Sequence, residues 1–402
     1  MHKFQLKVDK MIGYGKQSIN DDDIQKVVDV LKSDFLTQGP LVPKFEDTIC
    51  DKVGANHAIA MNSATSALHA ACRALGLSQG GILWTSPITF AASANCGLYC
   101  GARVEFVDID PNTNNMCIES LRTKLINAKV HDCVPDVLVV VHLGGLPCDM
   151  ESIRQLSSDY GFKVIEDASH AVGSKLNGNF IGSCEYSDIT IFSFHPVKIV
   201  TTGEGGMALT NSSRLADLLR LFRSHGISRD KRIMLNCNEG PWYYEQLELG
   251  YNYRMSDIHA ALGENQFKRL EEFTSKRNEL AARYDEKLSS FQISLPPRRE
   301  NSYSSFHLYV IKIKCDRINS RKKDFFENMV KKGIGVNLHY IPVFLLPYYQ
   351  KLGYDRSEYP NAIEYYREAM TLPLFPDLTY EEQDRVILAL RETFEKFGRG
   401  RF

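Results

Sequence analysis

Net charge is the first thing missing from this sequence. Its 48 Lys and Arg against 49 Asp and Glu leave −1 over 402 residues. So balanced a chain has no bulk electrostatic grip on nucleic acid or on an anionic membrane. Long apolar runs are missing too: no stretch of about 18 residues would serve as a membrane-spanning helix. The first residues, MHKFQLKVDKMIGYG, lack the apolar core of a secretory signal. The ten cysteines, at positions 50, 72, 96, 100, 117, 133, 148, 184, 237 and 315, include no CxxC pair. Cys96 and Cys100 are an i, i+4 pair in an alanine-rich segment, which reads as small core residues rather than metal ligands. Unpaired cysteines in apolar surroundings suit a reducing cytoplasm. There is no internal repeat and no low-complexity tract. Neither nucleic acid nor membrane is expected as a partner, and no metal.

What remains is an ordinary globular composition, 44% hydrophobic and 24% charged. A chain of 402 residues exceeds what one core usually supports, so two domains are expected. Short apolar runs alternate with amphipathic stretches over residues 56–211. The runs are HAIAM (57–61), ILWTS (82–86), RVEFVDI (103–109), DVLVVVHL (136–143), FKVIED (162–167), DITIFSF (188–194) and GMALTN (206–211). Continuous apolar runs are strands buried on both faces, and the helical patterns between them cover those faces. The class is α/β with a mainly parallel sheet. The last two runs lie too close for a helix between them, which allows one to run antiparallel. A long helical pattern follows over 255–289, and LPPRR (295–299) punctuates it. Beyond it come a strand over 307–314, a helix over 322–333, a strand over 334–341 and a final helix over 380–397. The division is a large domain over 1–255, with an N-terminal arm, and a connecting helix plus small α+β domain over 256–402.

Ligands of open α/β sheets sit outside the carboxyl ends of the strands. The first run ends in NSATSALH, where Ser63, Thr65 and Ser66 begin a helix. A helix N-terminus with small hydroxyls is a phosphate seat, and equally a plain cap. After ILWTS, Phe90 falls where a ring could stack on a flat ligand, or simply pack in the core. Asp167 ends an apolar strand, where a carboxylate needs a partner. A protonated pyridine nitrogen would be one, and a helix-capping role is the competing explanation. His170 follows three residues later. Lys198, in SFHPVKIVTTGEGG, comes 198 − 167 = 31 residues after the acid, one crossover on. A dehydrated lysine has a lowered pKa and becomes a nucleophilic amine. Ser193 adds a hydroxyl. In chain order these give a phosphate seat, a ring stacker, an acid for a ring nitrogen and an imine-forming lysine. Pyridoxal 5′-phosphate needs that set. No GxGxxG follows any strand, which disfavours a dinucleotide-binding rival.

At these residues the chain resembles the DegT/DnrJ/StrS sugar aminotransferases, pyridoxal-phosphate transferases of fold type I. The resemblance rests on NSATSALH, PITFAASAN, EDASHAVG, SFHPVKIVTTGEGG and LGYNYRMSD, in order, and covers nearly the whole chain. More narrowly, SFHPVK, RSHGI, FLTQG and VNLHYIPV resemble the members that act in pseudaminic acid synthesis. The resemblance implies pyridoxal 5′-phosphate covalent on Lys198, with pyridoxamine 5′-phosphate between half-reactions. It makes Lys198 the proton carrier and Asp167 the partner of the ring nitrogen. Ala64, Thr65 and Ser193 match phosphate contacts, Phe90 the stacking ring, and His170 a cofactor-binding position where many members carry glutamine. Asn252 matches an asparagine that reaches the phosphate of the neighbouring subunit, so a homodimer with shared sites is implied. Tyr14, Ser63, the stretch Leu36, Thr37, Gln38 and Gly39, and the stretch Asn337, Leu338, His339 and Tyr340 are assigned to the sugar nucleotide. The implied reaction moves an amino group from glutamate, leaving 2-oxoglutarate, to C4 of a UDP-linked 4-keto-6-deoxy-N-acetylhexosamine. Sugar dehydratases of the same family carry histidine in place of the lysine, so Lys198 favours transamination. Two other readings stay open: an aminotransferase of another nucleotide-linked keto-sugar, and a non-catalytic regulator that binds pyridoxal phosphate or a sugar nucleotide.

Overall fold

A computed structural model describes residues 11–236 and 240–398. Two helices lead in: α1 (Asp21–Leu31), closed by a capping box at Asn20, and α2 (Leu41–Val53). Then strands and helices alternate. They are β1 (His57–Met61), α3 (Ala64–Ala74), β2 (Ile82–Thr85), α4 (Ala92–Tyr99), β3 (Arg103–Phe106), α5 (Ile118–Val130), β4 (Val137–Val141), α6 (Met150–Tyr160) and β5 (Lys163–Asp167). A small hairpin, β6 (Lys175–Leu176) and β7 (Asn179–Phe180), precedes β8 (Ile189–Ser193), β9 (Gly206–Thr210) and α7 (Ser213–Arg223).

The large sheet has the order β1-β9-β8-β5-β4-β2-β3. Strands β2, β3, β4, β5 and β8 pair parallel. Strand β9 pairs antiparallel with both β8 and β1. It is therefore the one reversed strand, in the pair where the short connection allowed it. Strands β4, β8 and β9 are buried at every residue, which explains their unbroken apolar spelling. One apolar cluster fills each face of the sheet, and α3, α4 and α7 on one side face α2, α5 and α6 on the other. The cysteines behave as small core residues: Cys72, Cys96 and Cys100 are buried and free. Cys237 lies outside the described residues.

The helical pattern over 255–289 is two helices rather than one, α8 (Asp257–Lys268) and α9 (Leu270–Leu288). They meet at Arg269, which leaves helical geometry at φ −94°, ψ 9°. Its guanidinium is tied to Glu272 at 3.1 Å and lies 3.7 Å from Asp23 of α1. Beyond α9, the strands Ile293–Ser294, Tyr309–Ile313 and Ala369–Leu372 form an antiparallel sheet. Helices Lys322–Lys331 and Tyr380–Gly398 pack with it around a third apolar cluster, which also takes Ile12.

The strand expected over 334–341 is not formed. That stretch makes only isolated bridges, Ile12 to Ile334 and Asn337 to Thr371. It forms a cavity wall instead: residues 337 to 340 all line the cavity described next.

Candidate active site

The cavity, about 430 Å³, opens at the carboxyl ends of β1, β5 and β8. At one end of it Ser63 caps α3, its Oγ accepting the Ser66 N–H at 3.1 Å. The N–H groups of Ala64 and Thr65 precede the first intrahelical bond, and both residues line the cavity. Ser193, at the end of β8, faces them. The glycine at 206 is what lets β9 pass here. A Cβ on Gly206 would sit 2.4 Å from the Ala64 nitrogen.

Asp167 ends β5 and is buried at 6% exposure. One carboxylate oxygen accepts from the Ser93 hydroxyl at 2.6 Å, the other from the Ser169 N–H at 3.1 Å. These bonds orient the carboxylate without neutralising it. Lys198 lines the same cavity, and its Nζ has no hydrogen-bond or ion-pair partner among the described residues. Burial lowers its pKa to about 8, with Asp167 pulling the other way. Acid and amine thus share a cavity without touching, which leaves a space between them for a flat ring. Phe90, 62% exposed, lines that space.

Three histidines form the opposite wall. His170 is bonded at both ring nitrogens, to the Gly144 N–H at 3.3 Å and to the Tyr340 hydroxyl at 2.9 Å. His339 bonds Thr371 at 2.8 Å, and its carbonyl accepts from Tyr365 at 2.6 Å. His307 lies with its ring centroid 4.5 Å from that of His170. Burial, with the nearby Lys198 charge, holds His170 and His307 well below the ordinary histidine range and His339 at about 3. All three are neutral imidazoles. Tyr14 closes the wall, its ring 5.1 Å from that of His339.

Thirteen of the sequence-derived positions therefore line one cavity: Tyr14, Ser63, Ala64, Thr65, Phe90, Asp167, His170, Ser193, Lys198, Asn337, Leu338, His339 and Tyr340. Five do not. Leu36, Thr37, Gln38 and Gly39 lie elsewhere; Gln38 and Gly39 border a separate cavity of about 260 Å³ with Arg223 and Arg254. Thr37 bridges to Ser256, and the Gly39 N–H donates to Asp257 at 2.8 Å. Asn252 is exposed and pairs with Ser224. Ten lining residues escaped the sequence reading, among them Ser169, His195, Glu204 and His307, as did Ser93, which holds Asp167 from behind the cavity wall. Ser93 stood inside the quoted PITFAASAN, where a hydroxyl in an alanine-rich helix start was the available signal. His307 opened a run read only as a strand.

Fold and site together define an aminotransferase of the pyridoxal-phosphate fold type I class. The family model for DegT/DnrJ/EryC1/StrS aminotransferases matches residues 17–391, and the chain belongs to that family. A relative from Campylobacter jejuni, the UDP-4-amino-4,6-dideoxy-N-acetyl-β-L-altrosamine transaminase, is 38% identical over 392 residues, 97% of this chain and 99% of its own. Among solved structures, Helicobacter pylori PseC, an aminotransferase of pseudaminic acid biosynthesis, superposes with a TM-score of 0.88 at 30% identity, covering 96% of this chain and all of its own. The Streptococcus pneumoniae putative sugar aminotransferase Spr1654, solved in a pyridoxal phosphate form, has a TM-score of 0.86 at 27% identity, covering 96% and 99%.

The residues here fit that cofactor. The chain offers an unpaired amine, an oriented carboxylate for the ring nitrogen, an exposed aromatic face and free N–H groups at the start of an 11-residue helix. No helix among the described residues is long and apolar enough to cross a membrane.

Proposed function

We propose that the protein transfers an amino group from glutamate to C4 of a UDP-linked 4-keto-6-deoxy-N-acetylhexosamine. The product would be UDP-4-amino-4,6-dideoxy-N-acetyl-β-L-altrosamine, on the way to pseudaminic acid. The observation that carries the chemistry is the unpaired Lys198 amine, lowered to about 8, in one cavity with Asp167. Named relatives that match almost end to end support the choice of sugar.

When bound, pyridoxal phosphate supplies an electron sink for the donor's α-carbon. Lys198 would hold it through Nζ, and the same amine would carry the proton taken from the donor's α-carbon. Asp167, its carboxylate held by Ser93 and Ser169, would partner the ring nitrogen. The start of α3 and Ser193 would anchor the phosphate, and Phe90 would cover the ring. Tyr14 and residues 337–340 exclude water and receive the sugar.

Two assignments concern a second copy of the chain. We assign Asn252 to the phosphate, and residues 36–39 to the sugar nucleotide, of the neighbouring subunit in a homodimer. What supports this is that both lie off their own cavity, with Asn252 exposed. We place the protein in the cytoplasm, in keeping with nine described cysteines that are all free.

The test is mass spectrometry and NMR of the product formed from glutamate and the 4-keto sugar. An amine at C4, absent with Lys198→Ala, is expected. No amination of that sugar, with turnover of a differently configured one, would move the substrate assignment. No amination of any keto-sugar would sink it.

A further inference from the structure

We propose that His170 is a positioning residue that keeps the Tyr340 hydroxyl aimed into the cavity, as a hydrogen-bond donor to an oxygen of the bound molecule. This rests on the aminotransferase reading above. The argument begins with which nitrogen of His170 holds its proton. The ring is 4% exposed. Its Nδ1 meets the backbone N–H of Gly144 at 3.3 Å. A backbone N–H only donates, so Nδ1 must offer its lone pair. A second ring proton is disfavoured by burial and by the nearby Lys198 charge. The single proton is therefore on Nε2, and it points at the Tyr340 oxygen, 2.9 Å away.

The ring has little freedom to turn. His307 lies against it, with centroids 4.5 Å apart. The His307 backbone is pinned in turn, its carbonyl accepting from the fully buried Arg277 at 3.2 Å. Gly144, at φ +68°, holds the opposite contact in a conformation that suits glycine.

Tyr340 has one hydroxyl hydrogen. Its oxygen already accepts from His170, so that hydrogen has to go elsewhere. The only hydrogen bond of this hydroxyl within the described residues is the one to His170. The side chain lines the cavity, with its ring 6.2 Å from that of Phe90. Burial raises the phenol above its ordinary pKa, so it keeps its hydrogen. What remains is a donor facing the space where a ligand would lie. Its acceptor is an electron-rich oxygen, from one of two sources: the ring oxygen of the cofactor or the carbonyl oxygen of the keto-sugar. A fixed donor at either oxygen stabilises charge there without reorganising during the reaction.

The first readout needs no turnover. Nitrogen-15 NMR of the full chain labelled at histidine, with and without pyridoxal phosphate, should show His170 neutral and protonated at Nε2 between pH 6 and 8.5. A proton on Nδ1 would overturn the proposal. The second readout is kinetic. Tyr340→Phe and His170→Phe should each lower kcat/KM by about tenfold, the worth of one hydrogen bond. The double variant should be no worse than Tyr340→Phe. His170→Gln, whose amide N–H can reach the same oxygen, should recover most of the rate. Defects that multiply in the double variant, or no recovery with glutamine, would also overturn it. The acceptor is then read from Tyr340→Phe. A shift in the pH at which bound cofactor absorbance titrates marks the cofactor oxygen. An unchanged titration, with only the sugar half-reaction slowed, marks the sugar. If the wild-type protein aminates no keto-sugar, the proposed function fails, while the NMR result still decides the tautomer.

Discussion

Lys198 concentrates the chemistry at the scale of a residue. Burial brings its amine from an ordinary 10.5 to about 8, and Asp167 opposes that shift. The sign follows: a buried ammonium is disfavoured, so the reactive free base appears two or more pH units early. Protein stripped of cofactor should capture added pyridoxal phosphate with a rate that rises through about pH 8. Asp167→Asn removes the opposing charge and should move that midpoint lower still. A midpoint in the ordinary lysine range would contradict the buried, unpaired amine. Ser93 is the second test at this scale. Its hydroxyl donates to the buried Asp167 carboxylate at 2.6 Å. A bond to a charged group contributes about 1.5–3 kcal/mol. Ser93→Ala should weaken cofactor affinity by about ten- to a hundredfold, measured by titration of the stripped protein.

At the scale of the element, β9 and α3 meet through one glycine. Gly206→Ala would bring a methyl 2.4 Å from the Ala64 nitrogen, and backbone cannot step aside as a side chain can. Overpacking of this kind destabilises by about 1–3 kcal/mol. Urea unfolding should report that loss, and phosphate-ester affinity should fall with it if the displaced group is the proposed phosphate seat. Asp257 plays a comparable part at the start of α8. Its two oxygens accept from the Gly39 and Leu41 N–H groups at 2.8 and 2.9 Å. Asp257→Ala should free the 36–39 segment and raise its amide hydrogen exchange, with the cavity around Lys198 unchanged.

Elements were also where the sequence could be read and where it failed. Strands of the large sheet were legible because burial on both faces leaves an unbroken apolar spelling. The reversal of β9 was legible as an option because so few residues separate it from β8. The stretch 334–341 was misread because its apolar and aromatic residues, which spell a strand, form a cavity wall in which 337–340 all face inward. The break at Arg269 carries no proline or glycine to announce it. Within the site, residues at or just after the ends of β1, β5 and β8 could be named, since strand ends of open sheets converge, though Val141 at the end of β4 was not. His307 could not. It enters the cavity from the second sheet, through the Arg277 clamp, and nothing local to HLYVIKIK marks that.

The whole molecule responds to acid through the cavity wall. His170, His307 and His339 have folded pKa values below the ordinary range. Below about pH 6.5 the unfolded chain takes up protons that the folded one refuses. The stability these histidines contribute is present above that pH and is lost as pH falls. The slope is up to about 1.4 kcal/mol per pH unit for each. Urea midpoints should drop steeply between pH 7 and 5, and less steeply in His339→Asn. Equal slopes would mean that the wall is not neutral.

The cavity also sets an order of events in time. Asp167 ends β5 of the large sheet and Lys198 lies in the connection after β8, but Tyr340 is made 340 − 198 = 142 residues after the lysine. A chain still emerging from the ribosome has its reactive amine long before it has the wall that encloses it. The finished pocket, and with it the aimed hydroxyl of Tyr340, arises only in the completed chain. Loading with cofactor is then a report on the whole fold, and a ligand that binds only the folded state draws late folding to completion.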